Sequence, residues 1–68
     1  MATYDLKIDE TDGSVFYAGQ AVPGSLTSSP VWQVQRITLG ANDIDVVFAD
    51  ENNNFDNIWD DRLSLSYP

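Results

Sequence analysis

Asp56, Asp60 and Asp61 are the residues of this chain whose chemistry matters first, because paired carboxylates can share general acid/base work. Glycoside hydrolysis, for instance, needs two carboxyls about 5 to 9 Å apart across a substrate cleft. A chain of 68 residues scarcely builds a cleft that buries a substrate. It contains no histidine and no cysteine, which removes the commonest general base, the thiol nucleophile and the usual transition-metal ligands. Catalysis is not expected. The same region, Asp50 through Asp61, spaces oxygen side chains in a manner that echoes a calcium loop. Its sixth position is Phe55 rather than glycine, and its twelfth is the shorter Asp61 rather than glutamate. An Asx-rich turn bonding to its own backbone and capping a helix fits better, so neither metal nor cofactor is expected.

Charge narrows the partners. Eleven acids stand against Lys7, Arg36 and Arg62, for a formal charge of −8. Phosphate backbones and anionic membrane surfaces both repel such a body, so no direct nucleic-acid or membrane contact is expected. The acids either keep the chain soluble or mimic a DNA backbone. Mimics set their acids along a regular surface, whereas here they cluster at turns in a chain that is 43% hydrophobic. Solubility is the better account.

One domain, residues 1–68, is all that this length supports, and its core must be small. Without disulfides or a thiolate metal site, oligomerisation or docking on a larger partner is the support left open. No apolar run approaches the roughly 20 residues of a membrane span, and Met1–Asp5 lacks the features of a signal peptide. Synthesis in the cytosol is expected, with nothing in the chain to address it elsewhere.

The positioning elements read as strands. Tyr4, Leu6 and Ile8 alternate with polar residues, Asp12-Gly13 supplies a tight turn, and Ser14–Ala18 returns as a covered strand. Gln20–Pro30 has no periodicity and contains Pro23-Gly24, which suits the centre of a type II turn. Val31–Leu39 changes apolar phase midway, from Trp32 and Val34 to Ile37 and Leu39. Either both faces are covered or a bulge near Gln35-Arg36 resets the register. Ile44, Val46 and Phe48 mark a fourth strand, making strands three and four the expected middle of the sheet. Phe55, Ile58 and Trp59 share one face of a short helix near residues 54–62, capped by Asn53 or Asn54. Leu63–Tyr67 alternates as a closing strand.

The fold class is therefore all-β, a mainly antiparallel small sheet or barrel-like meander with one helical turn. Its expected core is Tyr4, Leu6, Ile8, Phe16, Trp32, Val34, Ile37, Ile44, Val46, Phe48, Phe55, Ile58, Trp59 and Leu65. Trp32 and Trp59 read as core rather than as binding platforms. Arg36 and Arg62 should pair with nearby carboxylates such as Asp45 or Asp61, or fix register at an oligomer interface.

Three segments carry a resemblance: Tyr17-Ala18-Gly19-Gln20-Ala21-Val22-Pro23-Gly24-Ser25, Trp32-Gln33-Val34-Gln35-Arg36-Ile37, and Phe55-Asp56-Asn57-Ile58-Trp59-Asp60-Asp61-Arg62. In this order, across about residues 15–67, the chain resembles a family of very small proteins of tailed bacteriophages, especially marine and cyanobacterial phages. It departs at Ala18, where the family often has a larger β-branched residue, and at Val34, where isoleucine is frequent. No catalytic residues come with the resemblance. It implies a virion structural protein made in the host cytoplasm, foremost a capsid decoration or cement component. Such a protein would bind other virion proteins, the major capsid protein or those of neck and tail, as a homo-oligomer in many symmetric copies. A neck or tail accessory protein is one alternative, and a small acidic inhibitor that mimics DNA or blocks a host enzyme is another. The partner-facing patch expected on this reading comprises Tyr17, Pro23, Gly24, Leu26, Arg36, Arg62 and Tyr67.

Overall fold

A computed structural model describes residues 3–67, which form a five-stranded antiparallel sheet. The strands are β1 (Asp5–Asp12), β2 (Val15–Ala21), β3 (Pro30–Leu39), β4 (Ile44–Phe48) and β5 (Asn57–Ile58). Their order is β1-β2-β3-β4, with β5 also pairing β3. The mainly antiparallel meander expected from period-2 patterning is thus the fold, as an open sheet rather than a barrel. β4 lies at an edge, so β2 and β3, not β3 and β4, hold the middle.

The first hairpin turns at Gly13-Ser14, one residue later than Asp12-Gly13, because β1 takes a register shift between Asp9 and Asp12. At the other end of β2, the amide of Ser25 donates to the Val22 carbonyl at 3.1 Å and Gly24 holds φ +86. That is the type II turn expected at Pro23-Gly24. The loop is tied to its own domain. Trp32 Nε1 donates to the Leu26 carbonyl at 3.0 Å, the Asp60 amide to Thr27 at 3.1 Å, and the Gly24 amide to the Asp5 carboxylate at 2.9 Å.

β3 settles its own change of phase. Its pairing with β2 and β4 runs without a shift from Gln33 to Leu39, so there is no bulge at Gln35-Arg36. Trp32 and Val34 face one side and are buried, while Ile37 and Leu39 face the other, where Leu39 is exposed.

The C-terminal third departs furthest from expectation. Ala49–Glu51 is a tight turn with Asp50 and Glu51 in left-handed conformation, β5 follows as an extended pair, and a 3-10 helix spans Trp59–Ser64. No side chain caps that helix. The amide side chain of Asn52 instead accepts from the Asn54 amide at 2.9 Å and donates to the Asp50 carbonyl at 3.1 Å, local bonds that favour a turn over a helix start. Phe55 and Trp59 therefore do not share a helix face. Phe55 stacks on Tyr4 at 5.5 Å, and both rings are exposed rather than core. The expected closing strand at 63–67 is absent, because the helix runs to Ser64 and the tail makes a single backbone-to-backbone bond, Asp50 amide to Ser66 carbonyl at 2.8 Å, rather than a ladder.

The core gathers on one side of the sheet: Ala21, Trp32, Val34, Ala49 and Trp59, with Tyr17, Leu65 and Tyr67 against them. The tryptophans lie 5.9 Å apart between ring centroids, tilted by 39°. Truncating either would cost about 3–5 kcal/mol, a large share of the stability of so small a domain.

Candidate interaction surface

The two faces of the sheet have different fates. Across the strands, Asp9, Tyr17, Arg36 and Val47 stand in one row, and Lys7, Gly19 and Val34 in the next. The C-terminal segment covers this face. Trp59 approaches the backbone at Gly19, the Arg62 guanidinium lies 4.7 Å from the Trp59 ring centre, and its Nε donates to the Asp9 carboxylate at 2.7 Å. Arg62 also donates to the Trp59 carbonyl at 3.2 Å. Arg36 lies 5.1 Å from the Tyr67 ring centre and donates to the Tyr67 carbonyl at 3.4 Å, while its buried Nε has no hydrogen-bond partner. Burial, reinforced by the neighbouring Tyr17, pushes the Tyr67 hydroxyl up to about 12, and that hydroxyl donates to the Arg62 carbonyl at 2.7 Å.

These arginines do not pair with Asp45 or Asp61. Arg62 reaches Asp9 on the first strand, and Arg36 takes an aromatic face instead. Of the expected partner-facing residues, Pro23, Gly24 and Leu26 are exposed on the 22–29 loop. Tyr17, Arg36, Arg62 and Tyr67 are half-buried under the C-terminal segment, where Tyr17 and Tyr67 pack at 5.7 Å. They clamp that segment to the sheet.

The opposite face is largely apolar, exposed along β1 and β4 and half-buried to buried on β2 and β3 between them. One row across it runs Ile8, Ala18, Gln35 and Phe48, the next Phe16, Ile37 and Val46, and a third Leu39 and Ile44. A fourth row, Leu6, Gln20 and Gln33, adds an amide patch in which Gln20 donates to Gln33 at 2.6 Å. None of these residues is charged, but Glu10, exposed and next in alternation after Leu6 and Ile8, stands on the same face at the register shift of β1 beside Phe16. Leu6 is 66% exposed, Ile8 59%, Ile44 63% and Val46 52%, although burial is what their alternation demands. The expected core residues Leu6, Ile8, Ile44 and Val46 are thus surface, because the C-terminal segment closes over the tryptophan side. The rows cover roughly 20 by 20 Å by strand spacing and rise, about 400 Å². A contiguous patch of that size falls within the range of about 300–600 Å² found for the largest apolar patch of a typical monomer, which often serves a function.

Asp56, Asp60 and Asp61 are exposed, and among the described residues no three acids gather to hold a metal ion. Alternation showed each strand's apolar phase, but the exposed apolar face emerged only once register put the second phases of β3 and β4 beside Ile8 and Phe16. Comparison with protein-family models, curated proteins and solved structures finds nothing that matches this chain.

Proposed function

We propose that this protein is a structural component of a phage particle, a decoration or cement protein seated in many symmetric copies on other virion proteins. The observation that carries the reading is the apolar face of the sheet exposed at Leu6, Ile8, Ile44 and Val46, a surface that suits burial in an assembly. The resemblance to small phage proteins supplies the kind of assembly. Mass spectrometry of purified particles of the source phage, with copy number, tests the proposal. A symmetric structural role predicts tens to hundreds of copies per particle. Recovery from the soluble fraction of infected cells alone, with none in particles, would replace this reading with that of a soluble inhibitor.

A further inference from the structure

We infer that the C-terminal arm, residues 57–67, is exchangeable between copies of this chain. It closes over its own sheet in dilute solution and over the sheet of a second copy when chains are crowded, so that Trp59 of each chain completes the core of the other. The inference concerns the tryptophan side of the sheet and does not use the apolar face that carries the virion reading. Either can fail without the other.

Three observations point to exchange. First, the arm is held by contacts that do not depend on its connection to β4. Asn57 and Ile58 pair with Trp32 and Pro30 on β3, and the Asp60 amide donates to the Thr27 carbonyl at 3.1 Å. Arg62 Nε donates to the Asp9 carboxylate at 2.7 Å, and Trp59 fills the notch at Gly19. The arm of a second copy would make every one of these contacts unchanged. Second, the connection is strained where it leaves β4. Asp50 and Glu51 hold φ 58 and φ 60, and opening the turn lets both relax, twice over in a dimer. Strained hinges of this kind invite exchange. Third, the connection has reach. Phe48 stands opposite Gln35 and Asn57 opposite Trp32, so closure needs only about 10 Å along β3. Extended, the chain from Phe48 to Asn57 spans roughly 30 Å. The surplus of roughly 20 Å is close to the 21 Å smallest extent of the molecule.

Opening gives up little else. Within the connection the Asn52 side chain donates to the Asp50 carbonyl and accepts from the Asn54 amide, and Gln33 donates to the Asn53 carbonyl. All three bonds are exposed, so water replaces them at small cost. The stack of Phe55 on Tyr4 is the contact that resists opening. Both arrangements bury the same core, and concentration therefore sets the balance between them. Association costs each pair its independent translation and rotation, and a charge of −8 on each copy adds repulsion. Crowding offsets both.

Charge reversal reads exchange directly. Asp9→Arg and Arg62→Asp each set like charges face to face in a closed chain, so each variant alone should melt below the wild type. In an exchanged heterodimer of the two, one arm–sheet contact is the reversed ion pair and the other is the wild-type pair. Refolded together at about millimolar concentration, the two variants should sediment at twice the 7.6 kDa chain mass and melt above either parent. Each parent alone should hold on the order of tenfold less dimer. The wild-type chain refolded at the same concentration should retain a dimer fraction that persists on dilution, because resolving it requires the arms to open. Glu51→Gly relaxes the closed turn and should lower that fraction several-fold. A mixture that stays monomeric, or that melts as the sum of its parents, overturns the inference. So does a wild-type chain that is wholly monomeric after refolding at that concentration, and this measurement decides the matter if the variants do not fold.

Discussion

Trp59 lies so close to Gly19 that a Cβ built on that glycine would meet Cε3 of the indole at 2.5 Å and Cζ3 at 2.6 Å. The glycine is present for closeness, because its backbone is an ordinary strand and its neighbour across the sheet, Val34, is buried beside it. The ring that fills the space also stacks near Trp32 and supports the Arg62 guanidinium. A missing side chain on β2 thus seats the entire C-terminal segment.

Gly19→Ala should accordingly destabilise the domain, although alanine normally favours a strand over glycine. The added methyl meets the side of a large ring held by Trp32 and Arg62, and overpacking of this kind costs about 1–3 kcal/mol. Thermal unfolding by circular dichroism checks it. A melting temperature equal to or above that of the wild type would show that Trp59 can shift freely.

Alkaline pH should act on the same segment through Tyr67. Its hydroxyl is held protonated up to about 12 by burial and by the adjacent Tyr17, against an ordinary 10.0. The sign follows from the protonated form being favoured in the folded state. The stability it contributes is complete below pH 10 and declines as pH rises from 10 towards 12, when the unfolded chain releases the proton first. Tyr67→Phe cannot release a proton there, and should show a shallower decline in denaturant midpoint over that window. Ultraviolet titration should show one of the three tyrosines ionising last in the native protein and not in urea.

How far the sequence disclosed this arrangement depends on the range of the forces involved. Period-2 alternation is local, so β1, β2, β3 and β4 were legible, as was the turn at Pro23-Gly24. Alternation cannot say which of two apolar phases is covered. In β3 the phase of Trp32 and Val34 took the buried side, under Trp59 and the C-terminal segment, and Ile37 was left facing out beside Val46. The four-residue spacing of Phe55 and Trp59 fits a helix, yet the Asn52 side chain bonds its own backbone and keeps residues 52–58 out of one. Arg62 finds its carboxylate on β1, a pairing that no local spacing announces. The exposed apolar face follows from register across four strands, which no single strand contains.

The turn that launches the C-terminal segment holds a reserve of stability. Asp50 and Glu51 adopt φ 58 and φ 60, and the left-handed conformation costs an L-residue roughly 1–2 kcal/mol. Aspartate softens that cost by bonding locally, but the longer glutamate side chain is exposed, and Glu51 ends a turn in which Asn52 donates back to Ala49 at 3.4 Å. Glu51→Gly removes the Cβ clash and one negative charge from a chain of −8, at the expense of greater freedom in the unfolded state. The strain outweighs the entropy by a small margin, so the substitution should stabilise by about 0.5 kcal/mol. For a domain of this size that is an upward shift of about 2–4 °C in melting temperature. Glu51→Val, whose β-branch tolerates positive φ least, should move it down by a larger amount. If the glycine variant melted below the valine variant, the turn could not have the left-handed backbone described for it.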